Sequence, residues 1–330
     1  MNTACRHITP DALSEEYYQI SPEILGKFPK HRPPLTLYVF REDSVTLVPT
    51  FLQGCFLNKD KQEELGRLCT EGRVFVARTD HPIYAQHISE QLDLVLLDQN
   101  LKEQEIIEIF QCSLPRRIDA FLDQPVKETF TRLQSDILVL TEYIWNDPFR
   151  IRGLFRHLYR DNDLSRHEYN VGIVGLLLYL IAREKELHRK TLDRLALGLF
   201  IHDIGLRKIP QFVLAKTTTL KREEEDKIRH HPLVGARVIR NLGIAYDEVV
   251  QCVLEHHERL DGSGYPQKKR DREISISGKI CALADSFSAM TSQRTYSACI
   301  PPAEAAVALL QDRKYDKRLA TILLSALHTI

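Results

Sequence analysis

The chain carries no net charge: Lys plus Arg and Asp plus Glu each number 45 among 330 residues. Without a bulk field to draw it to a polyanion, neither a nucleic-acid polymer nor an anionic membrane surface is the expected partner, and any recognition of phosphate must be local. Paired cysteines are missing too. The seven cysteines, at 5, 55, 69, 112, 252, 281 and 299, form no C-x-x-C pair, which argues against a thiolate zinc site and against a disulfide framework. Reduced thiols in a cytoplasmic protein fit better. The longest apolar run, Val171 to Ala182, is too short to cross a bilayer, and Met1 to Arg6 lacks the apolar core of a signal peptide. Membrane insertion is therefore not expected. What is abundant is ordinary globular material, 43% apolar and 27% charged, over a length that suits two domains with a core each.

Residues 1–115 mix strand and helix signals. Leu35 to Phe40 and Ser44 to Pro49 flank Glu42-Asp43, which suggests a hairpin, and Arg73 to Ala77 has the composition of a further strand. Lys61 to Thr70 has helical character with Gly72 behind it as a stop, and helices are also expected over 83–97 and 101–112. No nucleotide loop, metal spacing or nucleophile motif occurs here, so a small α/β regulatory or sensory domain is expected. Beyond it strand signals fade. Leu122 to Trp145 repeats apolar residues at helical spacing and is expected to connect the domains over 116–160, packing within the chain or on a second copy in a homodimer. Further helices are expected over 164–185, 190–201, 222–229, 232–241, 246–257, 276–290, 302–311 and 316–328. The fold class is thus mainly α: an all-α bundle over 161–330 preceded by the α/β domain.

Histidine and aspartate recur at the ends or on the inner faces of these helices. His167 opens one; His202-Asp203 close another; His231 precedes Pro232; His256-His257 close a third; and Asp285 lies in Ala282-Leu283-Ala284-Asp285. Imidazole and carboxylate without thiolate suit iron, manganese or zinc and disfavour magnesium. Seven such side chains serve two six-coordinate ions if Asp203 bridges, with positions left open for catalysis. Asp163, four residues before His167, either holds a third ion or caps the helix through the amides of Ser165 or Arg166. On one helix His256 and His257 would diverge by about a hundred degrees, so the pair suits a site with more than one ion. After them comes Glu258-Arg259-Leu260-Asp261-Gly262-Ser263-Gly264-Tyr265-Pro266. Gly262 and Gly264 are expected to bring bare backbone to a ligand, with Tyr265 as an aromatic edge. Glu258 and Arg259 have the pattern of a solvated charge pair, or of a pair that orients the imidazoles.

The order His167, His202-Asp203-Ile204-Gly205, Lys216, His231-Pro232-Leu233-Val234-Gly235, the His256–Pro266 stretch, then Asp285 through Tyr296, resembles the HD-GYP branch of the HD superfamily. The resemblance covers about residues 160–330; the first hundred residues resemble, without a securing motif, the α/β module found before some of these domains. It implies a bacterial phosphodiesterase that hydrolyses cyclic di-GMP to pGpG and, in many members, GMP. The implied cofactors are two or three divalent ions, iron first and manganese second. The implied ligands are His167, His202, Asp203, His231, His256, His257 and Asp285, with Asp203 bridging and Asp163 at the third-ion position. Tyr265 and Arg294 fall where the family contacts nucleotide or phosphate. Most members carry lysine where this chain has Leu206; Arg207 and Lys208, which follow, are the candidates to reach the same phosphate. That change leaves two rivals open: a cyclic-dinucleotide sensor or docking platform for cyclase-domain proteins, and a phosphodiesterase for a hybrid cyclic dinucleotide.

Overall fold

A computed structural model describes residues 6–7, 16–88, 92–97, 100–161, 163–183, 186–214, 216, 221–293 and 299–329. Two compact units divide the chain, Met1–Ser113 and Leu114–Ile330. In the first, five antiparallel strands form one sheet in the order β1-β4-β3-β5-β2: β1 (Arg6–His7), β2 (Tyr17–Gln19), β3 (Leu37–Arg41), β4 (Thr46–Phe51) and β5 (Val74–Ala77). The expected hairpin is β3–β4, and its turn needs Val45 at φ 50°. Leu37 and Val39 point inward while Tyr38 and Phe40 stay partly exposed, the alternation of a strand with one covered face. Helix α1 (Pro22–Leu25) follows β2, and α2 (Lys59–Thr70) starts at Asn58, whose side chain accepts from Lys61 N. Gly72 does stop α2, at φ 72°. The helix expected over 83–97 is described as two pieces, α3 (His81–Ile88) and α4 (Leu94–Leu97).

The helix expected over 122–145 is two helices, α5 (Glu103–Asp123) and α6 (Lys127–Asn146). Pro125 explains the break: it lacks an N–H and disfavours helical geometry in the residue before it, and Val126 after it is extended at φ −119°, ψ 165°. Pro115, inside α5, does not end that helix, because Ile107, Phe110, Leu114, Ile118 and Phe121 are all buried on one helical face. The 116–160 stretch lies inside the second unit, where α6 packs on α9 (Arg189–Phe200) and α7 (Arg150–Arg156) on α8 (Leu164–Ala182). The apolar face of α6, Leu133, Ile137, Leu140 and Ile144, is thereby buried within the chain.

Helix α8 is the axis of this unit. It is buried almost all round from Ser165 to Leu180 and packs against α7, α9, α14 (Ile276–Thr291) and α16 (Lys317–Thr329). Gly172 and Gly175 let α9 come close, since a Cβ at either would overlap Phe200 or Leu199. After α9 a 3-10 turn, Ile204–Lys208, leads to α10 (Gln211–Leu214) and α11 (Arg222–Arg229). Helices α12 (His231–Asn241) and α13 (Asp247–Glu255) follow, and α13 lies against both α9 and α14. The remaining helix, α15 (Pro302–Gln311), packs on α14 and α16.

One glycine ties the turn to α12. A Cβ on Gly205 would sit 2.0 Å from the carbonyl oxygen of His231 and 2.9 Å from Gly235 N, and backbone cannot yield as a flexible side chain can. Gly205→Ala should therefore destabilise the protein by about 2 kcal/mol or more. Gly66→Ala, mid-helix in α2 with nothing within 4 Å of its added Cβ, should stabilise by up to about 1 kcal/mol. Urea unfolding of both variants checks the opposite signs.

Candidate metal centre

His202 and Asp203 leave the end of α9, and the close approach at Gly205 brings them against His231 at the start of α12. His256 is the residue at which α13 ends. Asp203 Oδ1 lies 2.9 Å from His231 Nε2 and 3.2 Å from His256 Nε2, and the two nitrogens are 2.9 Å apart. Each ring has committed its other nitrogen: His231 Nδ1 donates to Ile228 O at 2.7 Å and His256 Nδ1 to Cys252 O at 3.0 Å. A neutral imidazole has one N–H, so both Nε2 atoms present lone pairs. With both rings neutral, three acceptors face one another, and Asp203 Oδ1 is buried without a hydrogen-bond donor. A cation is what such a donor set lacks. His257 completes this group.

A second group, His167, His202 and Asp285, adjoins it. His167 Nε2 is 3.1 Å from Asp285 Oδ1, and its Nδ1 is 3.1 Å from Ser288 Oγ. His202 turns Nδ1 to Leu199 O at 3.0 Å, leaving Nε2 buried with no hydrogen-bond partner. That nitrogen is 3.6 Å from Asp203 Oδ2, so Asp203 offers one oxygen to each group. His257 Nδ1 and Asp285 Oδ2, 3.8 Å apart, make a second link. Nitrogen and oxygen donors in two adjoining, largely buried groups fit a pair of divalent ions.

Charge states differ between the two groups. Burial pushes Asp203 up, but neighbouring His202 is the largest of the opposing influences that hold the carboxyl well below the usual range. Asp285 is lowered against burial by its bond from His167 and by the nearby His257. Burial lowers His256, and burial together with neighbouring His256 lowers His257 well below an ordinary imidazole. For His202 burial is outweighed by Glu168 and Asp203, and its pKa rises.

The twin histidines do not diverge: their ring centroids are 4.2 Å apart and both belong to the first group. In the following loop Gly262 adopts φ 80°. Gly264 lets the loop fold on its own backbone: its Cβ would lie 2.5 Å from His257 O, Glu258 Cα and Arg259 N. Gly262 likewise packs on the Arg270 side chain. Glu258 is buried, not solvated, and accepts from the backbone of Gln267 at 2.7 Å and Lys269 at 3.0 Å, while Arg259 donates to His256 O and Glu258 O. The loop so anchored sets the Tyr265 ring 4.6 Å from that of His257 and 6.5 Å from that of His231.

The expected phosphate contacts fare differently. Arg207 is turned to α5, where Asp119 and Asp123 hold its guanidinium, the latter at 2.8 Å. Two carboxylates on its own scaffold make it a tether of the 3-10 turn. Lys208 is exposed, beside Ile209, Pro210, Asp226 and His230. Arg294 lies outside the described residues. Asp163 caps α8, its Oδ1 accepting from Ser165 N at 2.8 Å and Ser165 Oγ at 2.6 Å, and among the described residues neither group includes it. Sequence reasoning passed over two groups: Arg229, whose guanidinium lies 5.4 Å from the centre of the Tyr265 ring, and Glu168, fully buried beside His202. A carboxylate inside the apolar run of α8 was the signal for the second.

The family model described as HD domain matches residues 155–319. The chain is 38% identical over 148 residues to a cyclic di-GMP phosphodiesterase of Thermotoga maritima, covering 44% of this chain and 39% of that protein. It is 33% identical over 146 residues to a cyclic di-GMP phosphodiesterase of Pseudomonas aeruginosa, covering 44% and 35%. To a 3'3'-cGAMP-specific phosphodiesterase of Vibrio cholerae it is 34% identical over 123 residues, covering 37% and 28%. The chain thus spans about two-fifths or less of the length of these curated relatives. Among solved structures, an HDG"Y"P protein from Bdellovibrio bacteriovorus shares the fold, with TM-score 0.63 and 17% identity over 95% of this chain and 100% of that one. No helix among the described residues is long and apolar enough to cross a membrane.

The shifted imidazoles set a pH dependence. A histidine ligand loses its metal to a proton as pH falls through its own pKa; His256 and His257 titrate below the ordinary 6.5, whereas His202 titrates above it. Manganese occupancy, followed by equilibrium dialysis, should therefore fall in two steps, the ion of the His202 group being lost above pH 6.5 and that of the His256–His257 group only below it; loss of both ions together at or above 6.5 would contradict this.

Proposed function

Because the chain belongs to the HD domain family, and because Asp203 Oδ1, His231 Nε2 and His256 Nε2 converge with no proton to share, we propose that it is a metal-dependent phosphodiesterase acting on cyclic di-GMP. The products are pGpG and, after a second cleavage, GMP. One ion is held by His167, His202 and Asp285 and the other by Asp203, His231, His256 and His257, with Asp203 shared. Iron, or manganese in its place, suits these donors. Such ions supply Lewis acidity toward a phosphate oxygen and a water molecule, which is the chemistry that an anionic, unreactive diester needs.

The side chains around the ions do the rest. His202 and Asp203 are buried, so water is excluded from that side of the site and its charges act in a low dielectric. Burial, then Asp203 and Asp285, push the Tyr265 phenol up, so it keeps its proton at neutral pH and donates a hydrogen bond to an anionic oxygen. Arg229 offers a guanidinium on the Tyr265 ring; its partner is the exposed Glu225, 2.8 Å away, and an exposed pair of this kind gives way to phosphate at small cost. The identity to a 3'3'-cGAMP-specific relative makes a hybrid cyclic dinucleotide the competing substrate. Cyclase-domain proteins and a second copy of the chain remain the partners to test by pull-down and by light scattering.

With manganese loaded, His202→Ala and Asp203→Ala should each lower turnover of cyclic di-GMP by more than about 100-fold, beyond the loss typical of groups that merely support a ligand, with helical circular dichroism retained. Undiminished turnover in fully metallated variants would refute the reading. Arg229→Gln should raise KM for cyclic di-GMP by about 5-fold, matching the ~1 kcal/mol of an exposed charge contact; an unchanged KM would remove Arg229 from the substrate site.

A further inference from the structure

Glu168 is a carboxylate at 0% exposure on α8, a helix otherwise apolar for most of its length. A buried carboxylate left to itself costs several kcal/mol, so its partners show what it is for. Oε1 accepts from the backbone N–H of Asp203 at 3.0 Å, and Oε2 lies 2.6 Å from His202 Nδ1. One side chain thus reaches across from α8 to two neighbouring residues, touching the main chain of one and the ring of the other. On the far side of the same ring, His202 Nε2 is buried with nothing to bond it.

The carbonyl of Leu199, 3.0 Å from the same Nδ1, already selects the Nδ1–H tautomer. Glu168 contributes what a carbonyl cannot, a carboxylate oxygen 2.6 Å behind the ring, whose negative charge strengthens the opposite nitrogen as a donor. Charge balance points the same way. Two divalent ions bring four positive charges to a buried site whose carboxylates in the two groups, Asp203 and Asp285, carry two negative ones, and Glu168 brings a third. Its contacts are unevenly shared: the ring it touches belongs to the His167–His202–Asp285 group, while the Nδ1 atoms of His231 and His256 are taken by Ile228 O and Cys252 O.

We propose that Glu168 is a positioning residue selective for one of the two ions. Acting through the His202 ring and the Asp203 amide, it sets the affinity of the ion held by His167, His202 and Asp285, and the ion at Asp203, His231, His256 and His257 depends on it less. The inference rests on the metal reading above but not on the choice of substrate.

Calorimetric titration of the chelator-stripped full chain with manganese, without oxygen, tests it. Wild type should take up two equivalents. Glu168→Gln, which keeps the shape and an acceptor for the Asp203 amide, should bind one equivalent as wild type does and the other 10- to 100-fold more weakly, while the melting temperature of the metal-free protein does not fall. Glu168→Met, an unbranched apolar replacement for an apolar helix, should show the same selective loss. Wild-type affinity for both ions in the variants, equal weakening of both, or failure of both variants to fold would each overturn the proposal, the last two by assigning Glu168 to the scaffold. Two equivalents bound by wild type without hydrolysis of cyclic di-GMP would sink the substrate reading and leave this one standing.

Discussion

The structure turns on a repulsion. Two imidazole lone pairs and a carboxylate oxygen are held about 3 Å apart, and the protons that would relieve the contact are committed to Ile228 O and Cys252 O. A chain free to relax would let these groups part. Here they stay because each is fixed by something stronger than the contact: a helix start at His231, a helix end at His256, and a turn at Asp203 pressed against α12 through Gly205. Folding thus prepares a site of concentrated negative potential, the arrangement a divalent cation stabilises.

The surrounding elements are arranged to keep that site closed and stiff. Helix α8 brings His167 and Glu168 into the centre of the bundle, where four helices cover them. The loop after His257 folds on its own backbone, with Gly264 against residues 257–259 and Glu258 accepting two amides. Its rigidity gives Tyr265 a fixed ring beside the histidines, with Arg229 on it. The inner part of the centre is therefore buried, with Arg229 at its edge.

Much of this was legible beforehand, and the exceptions share a cause. Helices at 222–229 and 302–311 were bounded by ordinary signals, acidic residues in the first turn of one and Pro301-Pro302 at the start of the other, and the expected limits match. The seven side chains singled out as donors fall into the two groups: most sit at or near helix ends, which are recognisable in sequence, and Asp285 on the buried face of α14. What escaped depended on direction in space. Arg207 is one residue beyond Leu206, yet that step on a tight turn aims it at Asp119 and Asp123. Gly264 signals a close approach, but sequence does not say that the approaching group is the chain's own backbone. Helix α6 was merged with the end of α5 because apolar spacing continued across Pro125, where the backbone does not. Glu168 was overlooked because its partners, 34 and 35 residues away, are joined to it only by the packing of α8 on α9.

The central claim, that these side chains converge to hold a pair of divalent ions, is tested most directly by an anaerobic crystal structure with anomalous scattering at the iron and manganese edges. The account predicts two adjoining peaks, one among Asp203, His231, His256 and His257 and one among His167, His202 and Asp285, with Asp203 touching both. Electron density showing His231 and His256 turned apart, with no anomalous peak in metal-replete protein, would contradict it.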